Sequence, residues 1–197
     1  MYGKSVVPLS VPLDKSIFCS DFLDNLHLML SNYYNQNYWL RNEPVLALDV
    51  ENSRQIKDKT DQFHIDHAFH QTTLVVLLSD ISDDSTTTEI IRSSHTYPHL
   101  LYELLYKNKL RFSNLSKLIT KQLIAKWGAS KLTGKAGDCF IFDPGNAFHR
   151  ASWGKDRLML HFTFCISSQH LTPGYREHLS KFGKLYTDNK LTAESLL

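Results

Sequence analysis

The strongest periodicity in the chain lies between Arg157 and Cys165. Leu158, Leu160, Phe162 and Phe164 alternate there with Arg157, Met159, His161, Thr163 and Cys165. Alternation of period two predicts a strand with one apolar and one mixed face. A mixed face that begins on an arginine suits the lining of a ligand-holding barrel or sandwich. The run Thr73-Leu74-Val75-Val76-Leu77-Leu78 lacks polar alternation and reads as a strand buried on both faces. Cys139-Phe140-Ile141-Phe142 reads as another strand, set between a turn over residues 134–138 and the breaker Asp143-Pro144-Gly145. Val45-Leu46-Ala47-Leu48 starts a further strand, before a polar loop over residues 51–62. Residues 5–13 carry Pro8 and Pro12 among apolar neighbours, the pattern of an extended edge segment.

Spacings of three and four mark the helices. Ser20 offers an N-cap for a helix to about Tyr34, with Phe22, Leu23, Leu26, Met29, Leu30 and Tyr33 on one face. Residues 113–127 place Leu115, Leu118, Ile119, Leu123 and Trp127 on one face, and Gly128 supplies a stop. Residues 98–107 and a segment near 174–182 also read as helical. Helices thus lie at the front and before the last pair of strands. The economical architecture is mainly β with flanking helices, a jelly-roll-like sandwich. A single domain is expected over residues 1–197, with a helical and extended part over 1–45, a β core over about 45–166 and a peripheral segment over 167–197.

Composition changes this picture little. At 197 residues, with 42% hydrophobic and 21% charged residues, the chain can bury a core and shows no sign of disorder. No apolar stretch approaches bilayer length, and the N-terminus lacks a signal-peptide core, so a cytoplasmic location with no membrane contact is expected. Cys19, Cys139 and Cys165 follow no metal or disulfide spacing and read as buried, reduced thiols. A net charge of +2 gives no reason to expect nucleic acid. Residues 104–137, however, hold eight basic residues and no acid. A solvated helix face is the first reading; an electropositive flank near an anionic small-molecule substrate is the second.

The chemistry lies in His64-Ile65-Asp66 and in His149, 83 residues after Asp66. Residues two apart on extended backbone project to one side, roughly 6–7 Å apart along it, within reach of one metal ion. A second histidine from a distant strand completes a 2-His-1-carboxylate face that leaves the opposite positions open, as in non-heme Fe(II) oxygenases. His149 is expected at the end of one strand, facing the start of the next. Arg157, on the mixed face, offers a planar fork for a terminal carboxylate; its alternative is an ion pair with Asp156 or Asp138. His67 and His70 could instead join His64 and Asp66 in a local zinc site, although no cysteine is nearby. Those two, with His95 and His99, read more simply as surface or pocket-wall histidines, and His161 shares the face of Arg157.

These residues resemble the Fe(II)- and 2-oxoglutarate-dependent dioxygenases, in particular the phytanoyl-CoA dioxygenase-like branch. The resemblance is carried by Phe63-His64-Ile65-Asp66, the strand from Thr73 to Ser82, Thr88-Glu89-Ile90-Ile91-Arg92-Ser93-Ser94-His95, Lys135 to Phe142, Phe148 to Ser152, and Arg157 with its strand. It covers about residues 60–166. Ser93 stands where the branch usually has glycine, Asp84-Ser85-Thr86-Thr87 replaces its Gly-Pro, Met159 stands where plant-type relatives have serine, and the step from His149 to Arg157 is short. The resemblance implies a double-stranded β-helix of the cupin-like kind. It implies His64, Asp66 and His149 as iron ligands and catalytic residues, and Arg157 as the cosubstrate-binding residue. Fe(II), 2-oxoglutarate and O2 would then support hydroxylation of a small organic substrate, with release of succinate and CO2. Halogenating relatives replace the carboxylate with a small residue, so Asp66 argues for hydroxylation. Two rivals remain: a cupin-like metalloprotein acting as a dioxygenase or isomerase without 2-oxoglutarate, and a non-catalytic metal-binding module.

Overall fold

The structure, a computed structural model, describes residues 5–8, 18–35, 37–40, 45–49, 62–66, 71–94, 114–166, 184–186 and 191–192. In chain order these form β1 (Ser5–Pro8), α1 (Ser20–Tyr34), β2 (Tyr38–Leu40), β3 (Val45–Asp49), β4 (Gln71–Leu77), β5 (Thr87–Ile91), α2 (Asn114–Trp127), β6 (Ala129–Lys131), β7 (Cys139–Phe142), β8 (His149–Ser152), β9 (Arg157–Ile166) and β10 (Lys184–Tyr186). Among the described residues the chain is therefore mostly β, and every strand pair is antiparallel. No helix among the described residues is long and apolar enough to cross a membrane.

β9 is the spine of a seven-stranded sheet. One of its edges pairs first with β3, over Arg157 to His161, and then with β2, over Phe164 to Ile166. Its other edge pairs with β4, which in turn pairs with β7. β1 lies at the rim beside β3, where a proline's missing N–H costs least. A second, three-stranded sheet has the order β6-β5-β8.

The alternation in β9 sorts the two faces of the large sheet. Leu160, Phe162, Phe164 and Ile166 meet Leu74 and Val76 of β4 on the outer face, beneath α1. Leu30, Leu160, Phe162 and Phe164 are fully shielded there, and each such side chain contributes about 1.5–3 kcal/mol of burial free energy. The inner face, with Val75, Leu77, Phe140, Phe142 and Met159, turns toward β5 of the small sheet. β4 is consequently buried along its whole length, as its apolar run Leu74 to Leu77 requires, and Gln71, Thr72 and Thr73 are buried with it.

Both helices are rotated from the faces expected of them. In α1 the buried residues are Leu23, Leu26, Leu30 and Tyr34, while Met29 and Tyr33 are exposed. Tyr34 is drawn inward because its hydroxyl pairs with Thr72 Oγ1 and donates to the Phe164 carbonyl at 3.0 Å. Cys19, not Ser20, occupies the N-cap position, and the helix ends on Asn35 in the left-handed conformation. In α2, Leu118 faces solvent, and Ile119, Leu123, Ile124 and Trp127 pack on Phe63, Ile65, Ile91 and Phe148. Gly128, at φ +73°, donates its N–H to Ile124 and lets β6 begin at the next residue. Helical expectations for 98–107 and 174–182 fall outside the described residues, as do His67, His70, His95 and His99. Cys19 and Cys139 are exposed rather than buried; only Cys165 of the three is a core thiol, and all are reduced.

Candidate metal centre

Residues 62–66 and the first turn of β8 lie side by side. His64 and His149 form an isolated antiparallel bridge, with each N–H donating to the other's carbonyl at 2.9 Å. Asp66 is fixed by its N–H to the carbonyl of Pro144, at 2.7 Å. That proline belongs to a turn built by Asp143, whose Oδ1 accepts from the N–H groups of Gly145 and Asn146 at 2.8 and 2.9 Å. The opposite carboxylate oxygen accepts from Asn146 Nδ2 at 2.6 Å and from the Tyr33 hydroxyl of α1. Such Asx-type bonding closes a turn tightly. The chain leaves it at Phe148 and enters β8 at His149. His149 therefore starts a strand rather than ending one.

This scaffold brings His64, Asp66 and His149 together, with one ligand atom from each lying within 4.8 Å of the others. His64 Nε2 is 3.6 Å and His149 Nε2 3.8 Å from Asp66 Oδ1, and the imidazole centroids are 4.5 Å apart. Both histidine side chains are largely shielded, at 6% and 12% exposure, whereas Asp66 keeps 37%. The edge of Phe142 closes one side of the His149 ring.

The second nitrogen of each ring sets its protonation. His64 Nδ1 lies 2.8 Å from the carbonyl of Gln62, and His149 Nδ1 lies 3.0 Å from that of Ala147. A carbonyl only accepts, so in the neutral rings Nδ1 carries the proton and Nε2 presents a lone pair. Two imidazole lone pairs and a carboxylate oxygen thus converge on one point, and they repel one another unless a cation lies between them. A donor bond from Nδ1–H to backbone is also the usual way a metal-ligating histidine is oriented. The donor set fits a divalent transition metal, with one negative charge from Asp66 and none from the imidazoles.

Arg157 is buried, at 6% exposure, as the first residue of β9, and it lines a small cavity between the two sheets. Thr87 and Thr88 of β5, Phe140 of β7 and Met159 form other walls, and the free space amounts to about 10 Å³. That is room for one water molecule. Its mixed-face partner His161 is only partly buried.

Sequence reasoning passed over three contributors to the site: Asp143, Tyr33 and Gly154. The Asp-Pro-Gly-Asn text, a strand stop by its breakers, carries the Asx-turn signal as well. Gly154, in the link from β8 to Arg157, packs so closely that a Cβ would run into the backbone of Asp84 and Ser85. Thr86 Oγ1 donates to the Gly154 carbonyl and accepts from its N–H, both at 3.0 Å, which fixes that link.

No family model and no curated protein matches the chain in sequence. Solved structures do match it. EctD from S. alaskensis with bound Fe aligns at a TM-score of 0.54 and 16% identity, over 80% of this chain and 54% of that one. The non-heme alpha ketoglutarate dependent carbocyclase SnoK from nogalamycin biosynthesis aligns at 0.50 and 11% identity, over 83% of this chain and 63% of that one. At these identities the likeness is one of fold. The chain spans about half the length of EctD.

Proposed function

We propose that this chain is a non-heme Fe(II)- and 2-oxoglutarate-dependent oxygenase on a double-stranded β-helix, hydroxylating a small organic substrate. The observation that carries the reading is the convergence of two Nε2 lone pairs and a carboxylate, with both Nδ1 atoms tied to backbone carbonyls. Fold likeness to an Fe-bound protein and to an alpha ketoglutarate dependent one supports it. His64, Asp66 and His149 would hold the metal, which with 2-oxoglutarate and O2 supplies oxidising power for C–H hydroxylation and releases succinate and CO2.

The protein's own part is positioning. The backbone bridge between His64 and His149 fixes the spacing of two ligands before a metal arrives, and the Asp143 turn fixes the third. Phe142 excludes water from one side of the site. Arg157 would take the far carboxylate of 2-oxoglutarate through its planar fork. Seating a five-carbon dicarboxylate there requires the walls of its one-water cavity to move, Met159 and Phe140 being the bulkiest.

That tight cavity favours a second reading, a metalloprotein of the same fold that uses its metal without 2-oxoglutarate. One experiment separates the two. Fe(II)-loaded protein is titrated anaerobically with 2-oxoglutarate, and the visible charge-transfer band of chelated cosubstrate is followed. The oxygenase reading expects the band, and succinate on admission of air. Iron binding with neither band nor succinate overturns the oxygenase reading.

A further inference from the structure

Behind the candidate metal centre, on the opposite face of the same strands, lies a cleft of about 360 Å³ between α2 and the small sheet. Lys117, Thr120, Lys121 and Ile124 line it from α2, Arg150 from β8, and Gln62 and Phe63 from the segment before Asp66. The volume falls in the range of small-ligand sites.

Its charge is one-sided. Lys117 and Lys121 are four apart and so stand on one face of the helix. Neither has an acidic partner among the described residues, and α2 contains no acid at all. Among the described residues Glu89, opposite Arg150 across the strand pair, is the acid close to this group. It holds Nε and Nη2 of Arg150 at 2.6 Å, leaving Nη1 as the guanidinium nitrogen it does not engage. Among the described residues three cations therefore face one carboxylate. The guanidinium also lies over the Phe63 ring, 4.5 Å from its centroid, which fixes its plane.

The polar inventory has one vacancy. The side-chain oxygen of Gln62 is buried and accepts no hydrogen bond among the described residues. Turned toward the cleft, that oxygen would accept from a donor on a bound molecule.

We infer that this cleft binds a small organic phosphate, independently of any chemistry at the metal centre. Two ammonium point charges suit a dianion, whereas a single carboxylate would compete with Glu89 for the Arg150 fork. Phe63 and Ile124 receive the ligand's carbon skeleton, and an N–H or O–H on that skeleton donates to Gln62. A nucleic-acid strand needs exposed aromatic platforms along a basic track, whereas Phe63, the aromatic wall of the cleft, is 7% exposed.

The test uses metal-free protein and 4-aminophenyl phosphate, titrated calorimetrically at low ionic strength. The expected result is saturable one-site binding, competed by inorganic phosphate and absent with 4-aminophenol. Affinity falls at least about tenfold when Lys117→Gln and Lys121→Gln are combined. Both lysines are exposed, so the double variant folds, and His149→Ala, whose Nδ1 bonds to Ala147 rather than to a wall of the cleft, leaves binding unchanged. Absence of saturable binding overturns the inference, as does equal affinity in the double lysine variant. Loss of binding in His149→Ala overturns it too, by moving the ligand to the triad. A single-stranded RNA that binds more tightly than the aryl phosphate and depends on the same lysines replaces the small-molecule reading.

Discussion

His64 and His149 are joined by two reciprocal backbone hydrogen bonds, each 2.9 Å long. The ring spacing therefore belongs to the backbone and does not depend on a bound ion. Removing either side chain should remove a ligand without dismantling the bridge.

His64→Ala, Asp66→Ala and His149→Ala should each weaken Ni(II) or Fe(II) binding by at least about 100-fold, since even outer partners of a metal site are worth 10–100-fold. Calorimetry on each variant checks this, with circular dichroism confirming the fold. Unchanged affinity in any one of the three removes that residue from the ligand set.

The Asp143 carboxylate accepts four hydrogen bonds and holds the turn whose Pro144 carbonyl fixes Asp66. Asp143→Ala should lower stability by about 1–3 kcal/mol and metal affinity by about tenfold. Tyr33→Phe, which removes the contact from α1, should show a smaller loss of both. Urea melts and metal titrations read the two effects separately; an Asp143→Ala protein with full metal affinity would show that the turn does not position Asp66.

Arg157 can be tested apart from the metal. Arg157→Lys should retain Fe(II) affinity while 2-oxoglutarate affinity falls by at least about tenfold, because a point charge cannot reproduce the fork. Equal 2-oxoglutarate affinity in the variant would place the cosubstrate elsewhere.

Gly154 has no space for a side chain against Asp84 and Ser85. Gly154→Ala should cost about 1–3 kcal/mol, the usual penalty for overpacking. The strain falls three residues before Arg157, so 2-oxoglutarate binding should weaken more than metal binding. A Gly154→Ala protein with wild-type melting would mean that the link relaxes freely.

Cys139 is exposed, yet partial burial, and then the charge of Asp138, push its thiol pKa above the usual value. A raised pKa means less thiolate at a given pH, so alkylation by iodoacetamide at pH 8 should run slower than that of a free thiol. Asp138→Asn should speed it only modestly, because burial is the larger cause. Mass spectrometry of the Cys139 peptide gives the rate, and alkylation at the free-thiol rate would refute the shift.

Legibility in the sequence followed element length. β4 and β9 show seven and ten residues of unmistakable pattern, and both were readable. β2, β6 and β10 have three residues each, too few for a period to repeat. β8 reads His-Arg-Ala-Ser, whose inward residues are a histidine and an alanine, so no apolar alternation marks it. The helix faces were misjudged by about one position because Tyr34 and Ile124 are drawn inward by tertiary partners. His64, Asp66 and His149 were legible as residue types at suitable spacing. Neither the tight cavity beside Arg157 nor the link from Tyr33 to the Asp143 turn was, since both arise from packing between elements distant in sequence.

Residues 63–66 and 148–150 alternate sides, with Phe63, Ile65, Phe148 and Arg150 under α2 and His64, Asp66 and His149 on the metal side. The partition between the two is a single layer of peptide. A substitution chosen on the α2 side, at Ile119 or Leu123 for instance, shifts a residue covalently joined to a ligand. In a directed-evolution library such positions would act as remote tuning screws for the metal, though they lie on the far side of the wall.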